Sequence, residues 1–446
     1  MSSTTTQDRL EHATLSWSLN AALAGLPLAL IAVGPALVVS ISGRTLPVYA
    51  SQIAIAVLVI HIGFSVLAQR SYGDVPATMR WLLAGTALLA VALIWSTDPA
   101  AGMLAYLNFA SGTVGGMVIA QVWKGMSRGF SWIDVSYAVF LIAGIAQLLA
   151  SFSKASSVNS LHQSSQTPWG NSNFVAGCLV VAALVVVVRS ASLGRHRKYA
   201  VTLALVAIGV ALLTLSRGAI VAACVGAIFF LWSKSGPRRP RGHRPSSTAP
   251  RHVNTNVVIR LLARALAVLV PVVAFIAVDH VTGLRAQVSK QVFSNVDGRF
   301  ELYRLAWENF LQNPMTGTGW ASFRDSSMSF AGQSQTFAHN LMLSMLQIGG
   351  LLSVPYLAAL SYLAYRALRH GGPYTAAVAA AIAVSMTQPF FESTVGNLIA
   401  LPIAFLAGFS TAKASKNDVG AMTTPRRSST RTHMQSSRRM QPEGAL

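Results

Sequence analysis

Long apolar stretches recur along this chain at about 18–42, 47–68, 79–96, 100–122, 132–152, 172–188, 199–215, 217–233, 256–278, 338–365, 374–390 and 394–412. A helix needs about 20 residues to cross the hydrocarbon of a bilayer, and most of these runs come close to that. Inside hydrocarbon every backbone polar group must be satisfied within its own segment, which makes helices of runs this long. The rest of the composition agrees: 53% of the residues are hydrophobic and 11% charged, whereas an average soluble domain carries roughly 25% charged residues. An ordinary cytosolic enzyme, a disordered chain and a coiled coil are excluded. The expected fold class is all-α: a polytopic integral membrane protein of about 12 transmembrane helices.

A net charge of +21 invites a nucleic-acid reading, but the bases sit in short gaps between apolar runs and do not decorate a soluble face. Topology-setting charge explains them better. With the N-terminus inside and the runs alternating, 25 of the 34 bases fall on the cytoplasmic side and eight outside, with Arg264 within a span. Both termini are therefore expected in the cytoplasm, and no nucleic-acid partner is expected. The first sixteen residues lack the n-region and cleavable apolar stretch of a signal peptide. Residues 1–16 read as a cytoplasmic N-terminus, 17–412 as the membrane domain, and 413–446 as a disordered basic tail. Residues 234–255, rich in Pro, Ser and Arg, read as a disordered cytoplasmic loop that touches anionic lipid headgroups. Residues 279–336 form a long outward loop with aromatic residues, helical periodicity and turn glycines, so order is expected there. Cys178 and Cys224 lie inside apolar runs and offer neither a disulfide framework nor zinc spacing.

The outward bases need a reason, because the positive-inside rule removes Lys and Arg from that side. Five of them, Arg285, Lys290, Arg299, Arg304 and Arg324, lie in the long loop. Arg217 begins a span after an almost absent connection, so a cation and a positive helix end coincide there. It reads equally as an anion site or as an interfacial anchor. Residues 297–311 read as a helix with Phe300, Tyr303, Trp307, Phe310 and Leu311 on one stripe, ended by Pro314 and the Gly317-Thr318-Gly319 turn. Arg304 has Glu301 and Glu308 at helical spacing and reads first as a salt bridge, whereas Arg299 has no such helical partner and is the better free cation. His339, at the outer end of the tenth run, reads as an interfacial hydrogen-bonding histidine or as a proton acceptor near pH 7. The outward carboxylates Asp98, Asp279, Asp297, Glu301, Glu308, Asp325 and Glu392 make no metal-binding or glycosidase-type pair, so no cofactor is expected. Asp98 before Pro99 reads as a helix cap.

In the order Leu215-Ser216-Arg217-Gly218-Ala219, Gly298-Arg299 and Trp307, Pro314, Gly317 and Gly319 ahead of an aromatic, His339-Asn340 and Gly349-Gly350, the chain resembles the O-antigen ligase superfamily. That superfamily also holds O-antigen polymerases and bacterial protein O-oligosaccharyltransferases. An earlier stretch, Gly170-Asn171-Ser172-Asn173-Phe174, looks like the family's Asn-rich entry into its sixth span. The resemblance covers about residues 168–350; the first five spans match in hydropathy alone.

The resemblance implies a glycosyltransferase-C-like protein of the bacterial inner membrane with its active site facing the periplasm. It implies a glycan donor on undecaprenyl diphosphate, a lipid A–core acceptor, and inverting, metal-independent transfer. By matched position, Arg217 and Arg299 would hold the diphosphate, Arg304 would assist, and His339 would be the base, with Asn340 and Asn173 as support. Arginine suits that task, because its fork makes paired charge-assisted bonds to phosphate and stays protonated. Ligase is preferred over polymerase and protein glycosylase, since the Ser-Arg-Gly and His-Asn motifs are clear and the C-terminal tail is short. A secondary transporter also has twelve spans, but its ionisable residues usually lie near the midplane. Here the charge gathers toward the outer surface.

Overall fold

The computed structural model describes residues 19–41, 44–69, 76–125, 132–153, 166–167, 170–214, 216–233, 300–331, 337–370 and 372–409. The expected ninth span at 256–278, the cytoplasmic loop at 234–255, the start of the long outward loop with Arg285, Lys290 and Arg299, and the tail at 413–446 all lie outside them.

Helix follows helix through the first half of the chain: α1 (Leu19–Leu30), α2 (Ala50–Gln69), α3 (Ala77–Ala90), α4 (Pro99–Gly125), α5 (Trp132–Ser153), α6 (Ser172–Ser190), α7 (Arg197–Leu213) and α8 (Arg217–Ser233). After the undescribed stretch come α9 (residues 300–312), α10 (Phe323–Ala331), α11 (Leu341–Gly349), α12 (Val354–His370), α13 (Thr375–Ser385) and α14 (Thr394–Phe409). Among the described residues, five stretches are long and apolar enough to cross a membrane: Pro99–Trp123, Trp132–Ser153, Ser172–Ser190, Gly194–Leu213 and Leu341–Arg369. This is an all-α polytopic membrane protein.

Two expected runs have a different local form. The first run, 18–42, is helical only to Leu30; after a short 3-10 turn, Gly34 takes φ 80° and the chain enters a hairpin, β1 (Pro35–Ile41) with β2 (Arg44–Tyr49). Gly34-Pro35 ends the helix, and the β-branched residues that follow favour extended backbone as readily as hydropathy suggests a span. The tenth run is broken: Gly350 at φ 54° ends α11, and a single 3-10 turn leads into α12.

Small residues set how closely the bundle packs. A Cβ on Gly112 of α4 would lie 2.6 Å from the Thr394 Cα of α14, and one on Gly116 would lie 2.7 Å from the Asn397 carbonyl oxygen. Close backbone approach is how helices gain contact where lipid removes the hydrophobic drive between them. At the ends of α5 and α6, Arg189 closes a bidentate pair with Asp134, Nε to Oδ1 at 2.8 Å and Nη2 to Oδ2 at 2.7 Å, above the Trp123 ring. That buried pair fastens the end of the bundle opposite to the candidate site.

The site end is fastened by backbone. The turn after α9 lies against the break between α11 and α12: Thr318 N–H donates to the Gln347 carbonyl at 2.8 Å, Gly319 N–H to Ile348 at 3.0 Å, and Leu351 N–H to Pro314 at 2.9 Å. Gly317, Gly319 and Gly350 all have positive φ, and a Cβ on Gly317 would meet the Ile348 carbonyl. The fully buried Trp320 anchors the same turn to α3 through Nε1 and the Leu89 carbonyl at 2.8 Å. The glycine motifs of the sequence therefore build the scaffold of the site. Gly317→Ala is strained both in φ and in space, and should cost more than about 1 kcal/mol. A clearly lowered thermal unfolding midpoint of the purified protein in detergent checks this.

Candidate functional site

Three of the four candidate catalytic or phosphate-holding residues stand next to a residue that touches one turn, 386–388, at the end of α13. Arg217 is the first residue of α8, and a Cβ on its neighbour Gly218 would lie 2.6 Å from the Thr387 Oγ1. Arg304 follows Tyr303, whose hydroxyl donates to the Met386 carbonyl at 3.2 Å. His339 precedes Asn340, whose Nδ2 lies 3.8 Å from the Met386 sulfur. Three chain segments far apart in sequence thus meet at one corner of the bundle. Arg299 lies outside the described residues.

The start of α8 is capped by Ser216, whose Oγ accepts from Ala219 N–H at 3.4 Å and donates to the Asn173 carbonyl at 3.4 Å. Asn173 therefore meets the Ser-Arg-Gly corner through its backbone, and its side-chain oxygen is buried without a hydrogen-bond partner. A capped helix start carries partial positive charge whatever its side chains, which suits an anionic ligand.

The helix expected at 297–311 is present over 300–312, but its stripe is divided: Tyr303 reaches the Met386 carbonyl, while Phe300, Trp307 and Leu311 are exposed. Phe300 is 68% exposed, Trp307 45% and Leu311 57%, while Leu302 and Ala306 pack with Phe323 and Ala338 in a small satellite core. Periodicity found the stripe; it did not say which side the protein occupies. Arg304 bridges two carboxylates of its own helix, Nε to Glu301 Oε2 at 2.9 Å and Nη1 to Glu308 Oε1 at 3.5 Å, as its spacing indicated. Asp98 likewise caps α4, accepting from Ala101 N–H at 3.2 Å.

His339 is half-buried and has φ 58°, one of two described non-glycine residues with positive φ. The segment is held on both sides. Ahead of it, the buried Ala338 donates its N–H to Ser344 Oγ at 3.2 Å; behind it, Asn340 caps α11, accepting from Met342 N–H at 3.1 Å and Leu343 N–H at 3.3 Å. Asn340 is accordingly a structural cap whose hydrogen bonds fix where the preceding histidine stands. A non-glycine residue at positive φ costs free energy and persists where its surroundings enforce it.

A further titratable group belongs to this corner. Glu392, in the turn between α13 and α14, is fully buried, and burial pushes its carboxyl up to about 8. Its own backbone N–H and the Ser344 hydroxyl oppose that rise. In the sequence it reads as one more outward carboxylate. The available signal was its setting, Phe390-Phe391-Glu392 between two apolar runs.

A family model described as O-antigen ligase matches residues 201–358, about a third of the chain. That stretch runs from α7 into α12 and contains Arg217, Arg299, Arg304, His339 and Asn340; Asn173 and Glu392 lie beyond it. The matched stretch is the part of the chain that carries most of the motifs resembling the O-antigen ligase superfamily. No curated protein matches the chain.

The cap makes a local prediction. Asn340→Ala should cost about 1 kcal/mol, the usual worth of a lost helix cap. The thermal midpoint should fall while the protein remains folded and monodisperse by gel filtration.

Proposed function

We propose that this protein is an O-antigen ligase, transferring a glycan from undecaprenyl diphosphate to lipid A–core at the periplasmic face of the bacterial inner membrane. The observation that carries this reading is the convergence of the Arg217, Arg304 and His339 segments on the 386–388 turn. Cations and a proton acceptor at one corner are what an inverting transfer from a diphosphate needs.

On this reading, His339 takes the proton from the acceptor hydroxyl as that oxygen attacks the anomeric carbon of the donor. The bond from that carbon to the diphosphate oxygen breaks with inversion, and the electron pair leaves on the diphosphate. Arg217 and Arg299, with Arg304 in support, hold the diphosphate and stabilise the charge gathering on it. Positioned, always-charged guanidinium groups supply stabilisation that a metal ion provides in other phosphate chemistry. The same corner serves a polymerase, where the acceptor is another lipid-linked chain, or a protein O-oligosaccharyltransferase, so the acceptor separates these readings.

Deletion of the gene, followed by lipopolysaccharide electrophoresis, tests the assignment. A lost ladder with accumulating lipid-linked chains supports ligase. A core bearing a single repeat marks a polymerase, and an intact ladder with an unmodified glycoprotein marks protein glycosylation. In the purified enzyme, His339→Ala should lower turnover by roughly 10²–10⁴-fold, the worth of a positioned base, with donor binding retained. Arg217→Lys keeps the charge but loses the fork and should be clearly impaired. Donor turnover equal to wild type in Arg217→Lys would make that residue a membrane anchor.

A further inference from the structure

The end of the bundle opposite to the candidate site holds a cavity of about 200 Å³ between α5, α6 and α7. Ala138, Val185, Val186 and Leu203 form its apolar wall, together with the Asp134–Arg189 pair. That pair spends its charges on itself, through hydrogen bonds of 2.8 and 2.7 Å. His196 and Tyr199 also line the cavity and are exposed, Tyr199 to 72%, so the cavity reaches the protein surface there. An apolar cavity of this kind holds water poorly and suits an apolar group.

Its position says where that group comes from. Of the apolar stretch Gly194–Leu213, which contains α7, 22% is buried by protein, and of Trp132–Ser153, which is α5, 33%, against 78% for α6. The cavity therefore lies between two helices that present most of their residues to the bilayer. The connection from α6 to α7 adds charge. Arg195, His196, Arg197 and Lys198 are consecutive and exposed, and Arg195 Nε donates at 3.3 Å to Nε2 of His196, itself a residue of the cavity wall. Between Asp134 and Asp279 the sequence contains no carboxylate side chain, and Asp134 is already answered by Arg189. Three permanent cations thus stand beside an apolar cavity with no acid in their own stretch of chain. On the topology expected from the distribution of bases, this end faces the cytoplasm.

We propose that this cavity is a binding site for an anionic phospholipid of the cytoplasmic leaflet, with part of an acyl chain between α5, α6 and α7 and the phosphate on Arg195, Arg197 and Lys198. Each half of the site needs the other half of the ligand. A soluble phosphate would leave the apolar wall uncovered, and a lipid without net charge would leave the cations unanswered. Guanidinium and phosphate make strong charge-assisted hydrogen bonds, and basic pockets between helices on the cytoplasmic side are suited to such headgroups. Tyr199, apolar in body and polar at its tip, stands at the level where chain meets headgroup. The site is independent of the transfer chemistry and of the role of His339.

The experiment titrates the full chain, purified and delipidated in detergent, with dioleoyl phosphatidylglycerol or dioleoyl phosphatidylcholine and counts bound lipid by native mass spectrometry. A base close to an anionic lipid is worth roughly a fivefold gain in affinity, so wild type should bind one phosphatidylglycerol at least about tenfold more tightly than phosphatidylcholine. Arg195→Gln/Arg197→Gln/Lys198→Gln alters exposed side chains alone and should erase that preference. Ala200→Trp fills the cavity from α7 and should weaken phosphatidylglycerol binding about tenfold with the three bases intact. Glycerol phosphate, the headgroup without its chains, should not displace the bound lipid at millimolar concentration. Equal affinity for the two lipids in wild type, or a preference that survives in the glutamine variant, overturns the proposal. Displacement by glycerol phosphate, or wild-type binding in Ala200→Trp, also overturns it, since the cations alone would then account for the binding.

Discussion

The site end of the molecule depends on a short backbone ladder between the turn at 314–319 and the break at 347–351. Broken helices expose peptide groups, and an unsatisfied peptide in or near hydrocarbon is costly. Here each break satisfies the other: the carbonyls at the end of α11 accept from the turn after α9, and the turn's Pro314 carbonyl accepts from Leu351. The approach is so close that glycine is required at Gly317, and positive φ at Gly319 and Gly350 completes it. Gln347 reinforces the join from its side chain, with hydrogen bonds to Thr318 and Ser322. Because α9 and α11 leave this ladder in fixed directions, Arg304 and His339 are placed by the same few hydrogen bonds.

At the corner itself, the contacts that hold the backbone fall on the residues beside the candidates. Gly218 packs where Arg217 stands, Tyr303 hydrogen-bonds beside Arg304, and Asn340 caps beside His339. In each pair the neighbour carries the contact that fixes the backbone. On the proposed reading, this is the backbone support that a positioned base or phosphate clamp needs.

How much of this was legible follows from what each signal measures. Hydropathy is a local property, so the long runs within the described residues are largely helical. It could not tell the helix of residues 19–30 from the hairpin after Gly34, because Val and Ile serve both. The Glu301–Arg304–Glu308 bridges and the Asp98 cap were readable because helical spacing alone decides them. The ladder was half readable: its glycines stood out as a motif, but the partner of each lies some 30 residues away in sequence. Glu392 was not readable as a buried group. Its burial comes from α11, α12 and α14 meeting around it, and no local pattern carries that.

The outward face of α9 shows why a paired arginine can still serve an anionic ligand. Phe300, Arg304, Trp307 and Leu311 recur at helical spacing, so the cation stands within an exposed aromatic and aliphatic stripe. Such a face is poorly suited to water and well suited to acyl chains and headgroups at a membrane surface. The Arg304 side chain is 56% exposed and both glutamates 47%, so its ion pairs are screened. Exposed pairs of this kind contribute about 0.2–1 kcal/mol. A diphosphate offers more charge and more acceptor oxygens than either carboxylate, and its bonds to guanidinium are among the stronger hydrogen bonds proteins make. Exchanging a glutamate for a phosphate therefore costs little. On the proposed reading, Glu301 and Glu308 hold Arg304 in place and yield it when a lipid-linked diphosphate settles along the stripe.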